Sequence, residues 1–142
     1  MKKLSIFLSI LVSCSSPFCY AENKIDLKGF HGKLRAQLHE LGYLSELNGK
    51  YQIRVTEVTI DPQGYMKDHH HSGPGIRCIV SGELTYVINN EKTVYKTGDC
   101  FTERGDITHT SANPKVKPVK LLNFELLPSS IKDTENSLQP VR

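Results

Sequence analysis

The 142-residue chain has no tryptophan, and its ten glycines and seven prolines are too few for a collagen-like or low-complexity architecture. Nor does it carry an excess of one charge, since 18 lysines and arginines face 15 aspartates and glutamates. Two of the basic residues, Lys2 and Lys3, lie in a segment read below as removable, which leaves 16 against 15. That balance gives no electrostatic footprint for nucleic acid and no basic stripe for a membrane surface. No apolar run approaches the ~20 residues of a membrane-spanning helix. What is present is a composition of 38% hydrophobic and 23% charged residues, enough to build a core in one domain.

Met1-Lys2-Lys3 precedes an apolar run of nine, Leu4 to Val12. Nine helical residues reach only about 13 Å at ~1.5 Å each, less than half of a hydrocarbon core ~30 Å thick. The pattern is that of a secretory signal peptide. Cys19-Tyr20-Ala21 places small residues at the two positions a signal peptidase reads, so residues 1–21 are expected to be lost and the protein exported, to a periplasm or beyond. Leu11-Val12-Ser13-Cys14 is the competing reading, a lipobox that would anchor the chain through Cys14. Cleavage after Ala21 leaves Cys78 and Cys100. In an oxidising compartment these form a disulfide if their α-carbons come within about 4.4–6.8 Å. Otherwise they are two separate small hydrophobes, and the spacing leaves both readings open.

Residues 22–50 read as a polar extension with one helix, because Phe30, Leu34, Leu38 and Leu41 share a helical face and Gly42 can cap it. His31 and His39 read as surface groups there. From Tyr51 the texture becomes short strands. Tyr51, Ile53 and Val55 alternate, and Val58 and Ile60 take the opposite parity, which places a bulge near Glu57. Asp61-Pro62-Gln63-Gly64 is turn chemistry. Strands follow at 76–80 and 84–88, then Asn89-Asn90 turns the chain into 93–95, and Thr97-Gly98-Asp99 turns it again. Val119 to Leu127 is a last long strand, and 129–142 reads as a loose tail. Close-set strands without helices between them make an all-β sandwich or barrel over 51–128.

Three of the six histidines are consecutive, His69, His70 and His71. In a strand, side chains two apart share a face about 6.6 Å apart, so His69 and His71 point together and can both reach one metal through bonds of about 2.0–2.1 Å. His70 points away.

The stretch from Gly64 to Gly82, with His69-His70-His71, resembles the first motif of the cupin superfamily: glycine, a short gap, His-x-His, glutamate, glycine. The stretch from Gly98 to Asn113 resembles the second motif, with His109 at its histidine and Asn113 at its asparagine. The resemblance spans Tyr51 to Leu127 and implies a jelly-roll β-barrel, with His69, His71 and His109 as ligands of a divalent transition metal (Fe, Mn, Ni or Zn). The chain also departs from the pattern. The family's glutamate ligand falls at Gly75, and its proline and second glycine fall at Arg104 and Asp106. A neutral three-nitrogen set leaves the ion its full charge and more open positions.

Strand parity directs Arg77 and Ile79 inward with position 75, and Cys78 outward. A buried arginine needs an anionic partner or water, which makes Arg77 a candidate contact for an acidic substrate. Glu103 precedes the turn that presents His109, so it can approach the cavity in place of the missing carboxylate, although a solvated turn residue is the favoured reading. Tyr86 reads as core, and Asn113 as a brace for its turn. No nucleophile motif of the G-x-S-x-G kind competes. Two functions fit: a metal-dependent oxygenase or isomerase on a small organic molecule, or a barrel that binds a small ligand without chemistry. The family's habit of pairing through sheet edges implies a homodimer.

Overall fold

The computed structural model describes residues 24–132 and 136–141. The signal-peptide and lipobox readings lie outside those residues. Among them the chain forms nine strands: β1 (Leu27–Leu38), β2 (Tyr51–His71), β3 (Gly75–Ser81), β4 (Glu83–Ile88), β5 (Glu91–Lys96), β6 (Cys100–Glu103), β7 (His109–Ala112), β8 (Val119–Pro128) and β9 (Leu138–Pro140). They make an almost closed antiparallel barrel in the order β5-β4-β7-β2-β8-β3-β6, with β1 and β9 also pairing with β2. No helix among the described residues is long and apolar enough to cross a membrane.

The helix read at 30–41 is absent. Those residues form most of β1, which runs against β2 from Leu27↔Met66 to Leu38↔Ile53, and a single 3-10 segment follows at Gly42–Leu47. The free backbone edge of β2 outcompetes a four-residue apolar stripe that had little else to pack on. The bulge near Glu57 falls in β1 rather than β2: Arg35 is the extra residue between Leu34↔Thr56 and Ala36↔Val55, whereas β2 pairs with β8 without interruption from Tyr51 to Ile60. From 51 to 60 the inward row of β2 therefore keeps one parity, and Gln52 and Arg54 are buried on it while Tyr51 and Ile53 face out. Alternating apolar residues pointed the wrong way because the interior here is polar. Gln52 Nε2 donates to the Ile131 carbonyl, and Arg54 donates to the carbonyls of Ile131 and Lys132. Further along, β2 carries the longer stretch 61–64 opposite Gly29, and a register shift between Met66 and His69 changes the parity so that His69 and His71 face in.

Asp61 to Gly64 bends β2 where it leaves β8 and takes up β7. Asn89 and Asn90 both have positive φ and turn β4 into β5, as the sequence indicates. Val58, Ile60, Met66, Ile79, Leu84, Tyr86, Phe101, Val119 and Leu121 form one hydrophobic core cluster, and six of them, Val58, Ile60, Met66, Leu84, Phe101 and Leu121, line the space that the histidines share. Cys78 and Cys100 face each other across β3 and β6 in a disulfide, with α-carbons 4.1 Å apart. Within the segment read as a loose tail, β9 pairs with His69, His70 and His71 of β2.

Candidate metal centre

Register brings the histidines together. His69 of β2 is the direct cross-strand partner of His109 of β7, and His71 lies two residues along on the same face. Their ring centroids are 4.3 Å (His69–His109) and 5.2 Å (the other two pairs) apart. One ligand nitrogen from each lies within 4.8 Å of the others, and all three rings are buried. The half-buried His70 is outside this cluster.

Each ring is fixed from behind. His69 Nδ1 meets the Lys67 carbonyl at 3.1 Å, and His109 Nδ1 meets the Ile107 carbonyl at 3.0 Å. His71 Nδ1 meets Ser137 Oγ at 3.1 Å. With Nδ1–H donating outward, the Nε2 lone pairs turn inward, the arrangement in which metal-binding histidines are held. His69 Nε2 is buried and has no hydrogen-bond partner. Burial, with the neighbouring His109 and His71, holds the His69 pKa down at about 3, so the ring stays neutral and able to coordinate at neutral pH. The space between the rings is about 20 Å³, room for one water-sized occupant. These features fit a divalent ion held by His69, His71 and His109.

The surroundings are anionic, not neutral as the histidine set alone implies. Arg77 pairs with Glu103 at 2.7 Å and with Glu125 at 3.0 Å, all three buried. One guanidinium against two carboxylates leaves an excess negative charge beside the three imidazoles, which favours a cation there. Glu103 is therefore not a solvated turn residue. It lies at the inward end of β6, 3.0 Å from His109 Nε2 and 3.4 Å from His71 Nε2. Burial would raise its pKa, but His109, Arg77 and His71 prevail and hold it at about 2. Glu125 is likewise lowered against burial by His71, Arg77 and Ser137. The Ser137 hydroxyl donates to Glu125 while accepting from His71, so the C-terminal segment sits directly behind that ring.

Tyr86 belongs to the core, stacked 4.8 Å from His109 and tilted 5.1 Å from Phe101; burial, and then Glu103, to which its side chain hydrogen-bonds, raise its pKa. Asn113 is fully buried, its amide nitrogen 2.8–3.0 Å from the carbonyls of Ile60, Asp61 and Lys117, bracing the turn as expected. The missing second-motif glycine is supplied one residue early. Gly105 takes a φ of +85°, and a β-carbon there would lie 2.6 Å from Gly73, so only glycine lets these two loops close over the centre.

A second cavity of about 380 Å³ opens beside the histidines, between β1, β2, β8 and the C-terminal segment. His71, Met66 and Asn123 line both spaces. Asn123 is buried, and its Oδ1 accepts no hydrogen bond. Arg77 lines only the small space. Sequence reasoning passed over Glu125 and Ser137. The parity of β8 carried a signal for the first, because Asn123 and Glu125 interrupt an inward row otherwise made of Val119, Leu121 and Leu127.

The family model for the cupin domain matches residues 56–125. No curated protein matches the chain. Among solved structures, a cupin-like protein from Thermotoga maritima superposes with a TM-score of 0.56 at 15% identity, covering 81% of this chain and 78% of that one. A cupin-2 domain from Rhodospirillum rubrum gives 0.60 at 12% identity, over 82% and 68% of the respective chains. A cupin superfamily protein from Desulfitobacterium hafniense gives 0.54 at 13% identity, over 69% and 77%. At such identities these likenesses bear on the fold alone.

Proposed function

Since the chain belongs to the cupin superfamily, we propose that it is an exported protein that holds one divalent transition metal on His69, His71 and His109 and transforms a small organic molecule there. The observation that carries this reading is His71, which borders both the histidine space and the 380 Å³ cavity, so a ligand in the cavity sits beside the ion. The bound ion would supply Lewis-acid polarisation or dioxygen chemistry. The chain's own residues position the ligand. The unpartnered Asn123 Oδ1 asks for a hydroxyl or amine donor, and Leu27, Phe30 and Leu34 offer an apolar wall. Arg77 enters as the cation that fixes Glu125 at that cavity and Glu103 beside the histidines. The Cys78–Cys100 disulfide supports an oxidising destination, and the sequence of residues 1–21 supports export.

A second reading, a binding module without chemistry, is favoured by the state of the ionisable groups that border the cavity. Arg54, Glu125 and His71 are each already bonded within the protein, which leaves no uncommitted acid or base among them. One experiment separates the two. Metal-loaded protein is screened by thermal shift against small hydroxy and amino acids, and any stabilising compound is incubated with it in air and under argon. Product formed only in air identifies an oxygenase, and product formed in both an isomerase or hydrolase. Stabilisation without product leaves the binding module standing.

A further inference from the structure

Position 75, where the cupin pattern has its glutamate ligand, is a glycine with no room for a side chain. A β-carbon there would lie 2.2 Å from Arg77 Nη1 and 2.5 Å from the Phe124 carbonyl oxygen. The guanidinium fills the space that a side chain from 75 would cross. Yet the site has carboxylates, and they stand directly opposite on both sides. Gly75 is the cross-strand partner of Glu103 in the β3–β6 pair and of Glu125 in the β3–β8 pair, and of the two it is Glu103 that faces the Nε2 atoms of the histidines.

We propose that Glu103 is the carboxylate ligand of this metal centre, delivered from β6 across the sheet to replace the one missing from β3. The inference rests on the three-histidine reading above and adds a fourth ligand to it. Glu103 Oε1 lies 3.0 Å from His109 Nε2, and Oε2 lies 3.4 Å from His71 Nε2. Neighbouring ligands on bonds of about 2.1 Å at right angles stand about 3 Å apart, so the carboxylate is already at ligand spacing from two of the three nitrogens. The chemistry of His109 points the same way. Its Nδ1 is committed to the Ile107 carbonyl, and its Nε2 faces Glu103. An ion bound at that Nε2 would therefore meet Glu103 Oε1 at the distance of a neighbouring ligand. Arg77 keeps Oε2 and orients the group. Glu103 is the one carboxylate of β3 and β6, and Glu125 of β8 approaches His71 at Nδ1, the nitrogen turned away from the other two rings.

The test is Co(II) titration of the purified protein, Glu103→Gln and His71→Ala, read by calorimetry and by the visible ligand-field spectrum. A crystal of the wild-type protein soaked in Co(II) is examined at the cobalt edge. Removing an outer-sphere partner of a metal ligand typically weakens binding 10–100-fold, so loss of a ligand carboxylate should cost about 100-fold or more and change the spectrum. In the crystal a Glu103 oxygen should lie about 2.0–2.2 Å from the ion. Wild-type binding with an unchanged Glu103→Gln affinity and spectrum overturns the assignment while the histidine centre stands. If the wild type binds no Co(II), the histidine centre falls and the assignment with it. If Glu103→Gln does not fold, the crystal decides alone: a Glu103 still paired only with Arg77 and His109, away from the ion, overturns it.

Discussion

Replacing Arg77 by methionine removes the only cation of a buried triad and keeps most of its aliphatic volume. In the wild type one guanidinium lies 2.7 Å from Glu103 and 3.0 Å from Glu125, with relative exposures of 2%, 9% and 3% for the three residues. Removing it leaves two carboxylates buried with one unit of compensation fewer, a loss of about 3–5 kcal/mol for breaking a buried pair. For a domain of this size that lowers the midpoint of metal-free thermal unfolding by roughly 10–25 °C. Neutralising the orphans should reverse most of it. Arg77→Met/Glu103→Gln should recover part of the loss and Arg77→Met/Glu103→Gln/Glu125→Gln more, because a fully apolar or neutral replacement of a buried ion cluster is often tolerated. Circular dichroism melts at pH 7 in chelator measure the series. A single variant within about 1 kcal/mol of wild type, or a triple variant no better than the single, would refute the claim that Arg77 serves mainly to compensate the two carboxylates.

Gly75→Ala should destabilise the protein by about 1–3 kcal/mol, since its β-carbon meets the Phe124 carbonyl at 2.5 Å; denaturant unfolding measures this, and a neutral effect would mean that β3 and β8 can part freely. Ser137→Ala removes the hydroxyl between His71 Nδ1 and Glu125, and metal affinity should fall about 10–100-fold by calorimetry; unchanged affinity would show that the C-terminal segment does not orient His71. Acid should destabilise the metal-free protein over a wide range. His69 is held at about 3 in the fold against an ordinary 6.5, and Glu103 at about 2 against 4.5. For both groups the unfolded chain takes up its proton first, so stability is full above about pH 6.5 and is lost as pH falls towards 2. A melting temperature that stays flat from pH 7 to pH 4 would contradict the burial of a neutral His69.

The convergence of the three histidines was legible in the sequence, His69 and His71 from strand parity and His109 from the resemblance of 98–113 to the second cupin motif. Arg77 was legible as inward from strand parity too. What escaped depended on partners distant in sequence. Local sequence favours a solvated Glu103, with an approach to the cavity as the alternative, and only the pairing of β6 with β3 turns it onto Arg77 and the histidines. Phe30 to Leu41 has a fair helical stripe, but β2 supplied a backbone edge that no local pattern announces. Ser137 lies in a polar stretch with no periodicity, and its place behind His71 follows from the three-residue pairing of β9 with β2. Gln52 and Arg54 misled the parity of β2 because their polar heads are satisfied by backbone carbonyls near 131, a tertiary compensation invisible from residue type.

Metal content measured by elemental analysis, on protein purified without chelator and reconstituted with a single divalent metal, tests the centre most directly. Wild type and His70→Ala should each carry one ion per chain, His71→Ala much less, and His69→Ala/His109→Ala none. Equal losses in His70→Ala and His71→Ala, or a wild-type protein that stays metal-free after reconstitution, would contradict a centre built on His69, His71 and His109.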